Sequence, residues 1–171
     1  MYIFLRYNKE KEVRDMKLWF KQRFFSWFDS YDIYDENGNT VFTVEGQLAW
    51  GHRLHILNAK GEHIATVQQR VLTFLPKFEF YLGEQMVGTL CKEFTLFKPV
   101  FSLDCNGWYV EGDFFEWDYS IMDAQGGEVA RISKQLFQWT DTYSIDVANG
   151  MDGLMALMIV LAIDAEKCSR D

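Results

Sequence analysis

Residues 154–163 read Leu-Met-Ala-Leu-Met-Ile-Val-Leu-Ala-Ile, ten apolar residues in succession. Asp152 is the predicted N-cap of a helix that contains them and runs to about Cys168. A surface helix would show one apolar stripe, whereas a helix that is apolar on every side must be surrounded. The stretch therefore predicts a buried core helix. Its predicted core side chains are Leu154, Leu157, Met158 and Leu161.

Membrane insertion is the competing explanation of this stretch. A spanning helix needs about 20 apolar residues, and ten residues reach about 15 Å at the helical rise. Charged residues follow the run at once, with Asp164, Glu166 and Lys167. The length and the abrupt polar end favour a core helix over a spanning one.

The middle of the chain repeats one hairpin pattern. Each copy has an aromatic residue or Leu, an Ile two positions later, a Gly five positions after the Ile, and an alternating apolar run. The clear copies begin at Tyr31, Leu54 and Tyr119, and looser ones at Phe78 and Phe101. Apolar alternation on both sides of a Gly-containing turn is typical of an antiparallel hairpin.

Further strands are predicted at about 17–23 and at 142–147, which gives about twelve in all. A solenoid would also repeat, but its unit is not an antiparallel hairpin, and a long meander protects its edges best by closing. We therefore predict a mainly β fold, a closed antiparallel barrel of about twelve strands around the C-terminal helix. The chain has 171 residues, two prolines and no Pro/Gly/Ser-rich linker, which indicates one domain.

Composition restricts the classes of partner. The net charge of −8 argues against broad nucleic-acid binding, which needs a basic surface. Charged residues interrupt the first fifteen positions, so no signal peptide is visible. The cysteines lack the short repeated spacings of a disulfide framework or zinc cluster, and Cys91 and Cys168 are predicted to be buried thiols. We expect a cytoplasmic protein without a cofactor.

Several segments together resemble the LURP-one-related family. They are residues 16–22 (Met-Lys-Leu-Trp-Phe-Lys-Gln), 33–38 with 44–46, 107–114 with 117–119, 139–147 and 161–164. The likeness covers residues 16–168. It implies a fold like the Tubby C-terminal domain and the phospholipid scramblases, with the helix inside the barrel. Residues 16–171 are then the domain, and residues 1–15 are an N-terminal extension unless Met16 is the natural start.

The sequence offers little catalytic chemistry. It contains no nucleophile elbow, P-loop, dinucleotide fingerprint or HExxH motif. We predict no metal site, because His52 and His55 are three residues apart and would point to opposite sides of a strand, and His63 follows a turn. Acidic residues at turns are ordinarily solvated or capping. Asp141, between Trp139 and Tyr143, is the first candidate for acid–base catalysis. The other acids near strand ends are Asp32, Asp35, Asp113, Glu116 and Asp118.

The front of the chain is basic and aromatic. Residues 1–23 contain seven basic and three acidic residues and carry +4, whereas the whole chain carries −8. Basic residues beside aromatic ones suit an anionic membrane surface, and the Tubby-like resemblance implies phosphoinositide or lipid-surface binding. Alternating aromatics of a first strand, however, mostly face a core. The predicted lipid-binding residues are Lys9, Lys11, Arg14, Lys17, Lys21 and Arg23.

These observations favour a non-enzymatic binding or scaffold module. One form of it binds an anionic lipid surface through the basic front, and another binds a protein partner through a face of the barrel. The alternative class is a hydrolase-type enzyme that uses a turn acid such as Asp141. We expect a monomer that does not span a membrane, and a lumen that the helix fills.

Overall fold

The computed structural model describes residues 16–21, 30–93, 100–114, 116–135 and 142–169. Within these ranges the chain forms twelve strands, one short 3-10 turn (Gly150–Asp152) and one helix, α1 (Gly153–Cys168). The strands are β1 (Met16–Lys21), β2 (Ser30–Tyr34), β3 (Thr40–Gln47), β4 (Arg53–Asn58), β5 (His63–Gln69), β6 (Lys77–Leu82), β7 (Gln85–Glu93), β8 (Val100–Leu103), β9 (Tyr109–Asp113), β10 (Asp118–Met122), β11 (Glu128–Gln135) and β12 (Thr142–Val147).

The strands form a closed antiparallel barrel. Each strand pairs with its neighbours in the chain, and β1 closes the ring by pairing with β12 from Met16↔Val147 to Lys21↔Thr142. The predicted barrel of twelve strands is confirmed, and the solenoid is excluded. The repeated hairpins begin within one residue of the predicted positions, because β2, β4, β6, β8 and β10 start at 30, 53, 77, 100 and 118.

The three clear copies of the repeat close with the same turn. Gly38, Gly61 and Gly126 each have a φ near +80°, a conformation that glycine adopts at little cost. The side chain that begins each turn accepts two backbone N–H groups: Asp35 from Asn37 and Asn39, Asn58 from Lys60 and Glu62, and Asp123 from Gln125 and Gly127. A local acceptor and a positive-φ glycine together specify a tight turn.

The interior of the barrel is filled by α1. Every residue from 156 to 166 is buried, and Leu157 and Met158 have no exposed surface. Leu161 is also buried, while Leu154 is half-buried and packs against the core. The prediction of a core helix is therefore confirmed. No helix in the described part of the chain is both long and apolar enough to cross a membrane.

The predicted N-cap position is confirmed, since α1 begins at Gly153 directly after Asp152, but the Asp152 side chain does not cap the helix. Asp152 has helical backbone angles and makes no capping side-chain bond. The chain enters α1 through the preceding 3-10 turn, and Asn149 caps that turn by accepting from the backbone N–H of Met151 at 3.1 Å. Asn149 has the extended backbone that a capping residue needs, so the helical winding starts at Gly150, three residues before α1.

The two ends of the barrel differ. At the short-turn end lie the glycine turns, the first residue of β1 and the start of α1, where a side chain on Gly153 would overlap Met16 Sδ. At the long-loop end lie the last residue of β1 and the end of α1. The connections described in full at the long-loop end are residues 48–52, between β3 and β4, and residues 70–76, between β5 and β6; the β9–β10 connection, residues 114–117, is described except for residue 115.

Candidate functional site

The predicted lipid-binding residues lie mostly outside the described ranges. Lys9, Lys11, Arg14 and Arg23 are outside them, and of Lys21 the structure describes the backbone at the end of β1. Lys17 pairs with Asp146 at 3.0 Å and places its ammonium 4.7 Å from the centre of the Trp19 ring. The charge of Lys17 is therefore already balanced within the barrel wall. A lipid-binding role for the six residues remains a prediction.

The long-loop end exposes a group of large apolar side chains that the sequence analysis missed. Leu48, Trp50, Leu72 and Phe74 are between 83% and 103% exposed, and Val71 is 43% exposed. They belong to residues 48–52 and 70–76, which we call the paired loops. Large apolar side chains grouped on a surface mark an interaction site more often than isolated ones do. The sequence feature that could have indicated this surface is the presence of two apolar stretches between predicted strands, Leu-Ala-Trp at 48–50 and Val-Leu-Thr-Phe-Leu at 71–75.

The paired loops are fastened to each other. The side chain of Gln69 accepts from the backbone N–H of His52 at 3.1 Å, and the Gln69 N–H donates to His52 O at 2.7 Å. Gly51 has a φ of +85°, and a Cβ added there would lie 2.8 Å from Val71 Cγ1. Glycine at this position therefore permits the close approach of the two loops.

The paired loops are also fastened to the end of the core helix. His52 Nε2 lies 2.7 Å from Ser169 Oγ, and the Ser169 hydroxyl donates to Ala165 O at 3.0 Å. Burial lowers the pKa of His52 to about 4, so its imidazole is neutral at neutral pH. The loops that carry the exposed side chains are therefore anchored to the end of the buried helix.

Basic groups border the paired loops. Arg53 donates to the side chain of Gln68 at 2.8 and 3.2 Å, and Arg70 pairs with Glu79 at 3.4 Å while its side chain stays 60% exposed. Both arginines line a shallow groove with Leu48 and Trp50. Between Glu45 and Glu79 the chain has one acidic residue, Glu62, and it lies in a turn at the opposite end.

One backbone position in the paired loops is strained. Leu72 has a φ of +63° and a fully exposed side chain. A branched side chain rarely adopts this conformation, and residues held in such conformations concentrate at functional positions. Leu72 therefore combines a left-handed backbone conformation with an exposed apolar side chain.

The histidines form no metal centre in the described ranges, where no group of three potential ligands is found. His55 and His63 stack with ring centres 4.4 Å apart, an arrangement that their spacing did not predict. Burial, then the charges of His63 and Arg53, lower the pKa of His55. His63 Nε2 lies 2.9 Å from Thr66 Oγ1.

The described turn acids make local structural contacts. Asp32 accepts from the Thr43 hydroxyl at 2.8 Å, and Asp113 accepts from the Glu116 N–H at 3.2 Å. Asp118 forms an ion pair with Arg131. A hydrogen bond from the Asn39 side chain is the largest of the contacts that lower the pKa of Asp35. Asp141 lies outside the described residues.

The cysteines are free thiols. Cys91 and Cys168 are half-buried rather than buried, and Cys105 is exposed. On β7 the fully buried side chain next to Cys91 is Leu90, so the alternation of the strand turns Cys91 away from the core. Partial burial nevertheless raises the pKa of Cys91, which favours the unreactive thiol form.

A closed barrel around one buried helix, with an exposed apolar surface at one end, defines a small β-barrel domain. The family model described as LURP-one-related matches residues 16–164. The chain belongs to the LURP-one-related family.

Relatives agree with this assignment. The chain is 27% identical over 150 residues to the uncharacterized protein YxjI of Bacillus subtilis (strain 168), covering 87% of this chain and 92% of that one. It is 24% identical over 166 residues to the protein LURP-one-related 5 of Arabidopsis thaliana, covering 80% and 75%. A crystal structure of an Arabidopsis thaliana protein has the same fold, with a TM-score of 0.62, 16% identity, and coverage of 88% of this chain and 91% of that one.

Proposed function

We propose that this protein is a non-enzymatic module that binds anionic membrane surfaces through the paired loops. The observation that carries the proposal is the nearly complete exposure of Trp50, Leu72 and Phe74 at one end of the barrel. Exposing these side chains to water is unfavourable, and a soluble domain rarely groups them without a partner.

The apolar contribution to such binding is large. Full transfer of a Leu or Phe side chain out of water contributes about 1.5–3 kcal/mol, and tryptophan favours the interface between the headgroups and the hydrocarbon. The three side chains together supply several kcal/mol. Because the paired loops are held by Gln69 and Ser169, little of this energy is lost in ordering them on binding.

The charge distribution favours an anionic surface over a neutral one. Arg53 and Arg70 border the paired loops in a groove that contains one acidic residue, Glu79. Lys77 lies in residues 63–78, a stretch without acidic residues. Each basic residue near an anionic leaflet contributes about 1 kcal/mol. The ion pair of Arg70 with Glu79 is largely exposed, and such pairs are weak enough to be exchanged for a lipid headgroup. Lys21, among the predicted lipid-binding residues, ends β1 at this same end of the barrel.

Vesicle binding tests the proposal. We expect the protein to co-sediment with phosphatidylcholine vesicles that contain phosphatidylserine and to bind vesicles of phosphatidylcholine alone more weakly. The triple variant Trp50→Ser, Leu72→Ser, Phe74→Ser should lose at least about hundredfold in affinity, because its apolar transfer energy is gone. Its melting temperature should stay close to that of the parent, since the three side chains are exposed.

Met151→Ser is the matched control. Met151 is 87% exposed, but it lies at the short-turn end, opposite the paired loops. The Met151→Ser variant should bind vesicles as tightly as the parent does. The proposal fails if the triple variant binds as tightly as the parent, or if the parent does not bind anionic vesicles. Self-association of the parent that the triple variant abolishes would instead assign the paired loops to a second copy of the chain.

A further inference from the structure

The helix end, residues 164–169, contains a buried acid that the proposed function does not use. Asp164 is 3% exposed, and its Oδ1 has no hydrogen-bond partner among the described residues. The hydroxyl of Tyr119, fully buried on β10, also has none among them. Unsatisfied polar atoms are rare in protein interiors, and a buried carboxylate oxygen without a hydrogen bond is costlier when the group is charged.

The groups that face Asp164 come from three elements. Tyr31 lies on β2, Tyr119 on β10, and Lys167 on α1 itself. The pKa values of both tyrosines are raised well above the usual value, by burial first and then by the charge of Asp164. Both hydroxyls therefore stay neutral. Lys167 donates to Phe114 O at 2.9 Å and lies 4.4 Å from the centre of the Trp117 ring, so its ammonium is also held by the β9–β10 connection.

Three contacts dock the helix end onto the barrel wall. Glu166 pairs with Lys92 of β7 at 3.2 Å, Lys167 reaches Phe114, and Ser169 contacts His52 of the paired loops. Asp164 lies two to five residues before these contacts and is 3% exposed. An ionised Asp164 would be stabilised by water, and the docked position keeps water away from it, so docking of the charged form is unfavourable.

We propose that the helix end is docked in a proton-dependent manner: it stays docked while Asp164 is a neutral carboxylic acid and loosens as Asp164 ionises. Burial raises the pKa of Asp164 to about 7, and Lys167 opposes this in part. The folded state therefore binds the proton more tightly than the unfolded state. The resulting stabilisation is full below the unfolded pKa of about 4 and is lost as the pH rises to about 7.

The first experiment is a direct titration. With the aspartate side-chain carboxyls labelled with carbon-13, the Asp164 signal, identified by its absence in Asp164→Asn, should titrate with a midpoint near neutrality. A midpoint close to the ordinary aspartate value of about 4 overturns the proposal. This measurement uses the parent protein and does not depend on how well any variant folds in other respects.

The second experiment measures docking. Amide exchange of peptides from the helix end, corrected for the intrinsic pH dependence, should accelerate by up to about tenfold for each pH unit between pH 5 and 7 and level off above. Asp164→Asn, a neutral isostere, should abolish this dependence. Asp152→Asn, at the other end of the helical segment, should retain it. A pH dependence that persists in Asp164→Asn contradicts the proposal.

Discussion

The substitution Leu157→Asp should yield an unfolded or insoluble protein. Leu157 lies in the middle of α1 with no exposed surface and is enclosed by the barrel on every side. Loss of a buried leucine costs about 2–5 kcal/mol. The introduced acid must also be buried without a partner, which costs several kcal/mol even when it takes up a proton. Together these costs rival the entire stability of a typical domain, about 5–15 kcal/mol.

Soluble yield and thermal melting measure this effect. Met151→Asp is the matched control, because Met151 lies just before α1 and its side chain is 87% exposed; it should express and melt like the parent. If Leu157→Asp melted within a few degrees of the parent, α1 would not be the core of the protein, and the described architecture would have to be abandoned.

The fold was predictable because several local signals agree. Gly38, Gly61 and Gly126 recur at the position where their hairpins require positive φ. In four hairpins the register also shifts at the same place, just after an inward Ile or Phe: Ile33, Ile56, Phe80 and Ile121. A repeated turn and a repeated bulge fix the register of each hairpin. A helix without a polar face must be surrounded by protein, and the interior of the closed barrel is the place that surrounds it.

The polar end of the helix was not predictable in the same way. Asp164, Glu166 and Lys167 are the charged residues that end the apolar run, and charged residues ordinarily lie where a helix becomes exposed to solvent. Burial in the barrel continues past the apolar run, however, and Asp164 and Glu166 are 3% and 6% exposed. The partner that makes burial of Glu166 possible, Lys92, is 74 residues away in the chain, and no local pattern announces it.

The paired loops were missed for a related reason. Leu48, Trp50, Leu72 and Phe74 have the composition of a core segment, and composition alone does not tell an apolar residue that faces the interior from one that faces solvent. Two positions of the paired loops, Gly51 and Leu72, also have positive φ values. The one pattern that sequence can offer here is an apolar cluster in a predicted loop.

Glu166→Ala should be strongly destabilising, contrary to what its place in a charged segment suggests. Lys92 and Glu166 form an ion pair in which the side chains are 11% and 8% exposed, and the Lys92 ammonium lies 5.7 Å from the centre of the Phe101 ring. Removing one partner of a buried pair leaves the other charge uncompensated and costs about 3–5 kcal/mol. Each kcal/mol lowers the melting temperature of a domain of this size by about 2–4 °C, so the melting temperature should fall by roughly 6–20 °C.

Two further variants separate the loss of the pair from the loss of contacts. Asp118→Ala removes one partner of a surface pair, in which Asp118 and Arg131 are 61% and 45% exposed, and it should change stability by about 1 kcal/mol or less. The double variant Lys92→Met, Glu166→Leu removes both buried charges and fills their space with apolar atoms. It should recover most of the stability that Glu166→Ala loses, because replacing a whole buried pair by apolar side chains is often neutral or stabilising. If Glu166→Ala were as mild as Asp118→Ala, the helix end would be solvated in solution, and Lys92 would not hold it against β7.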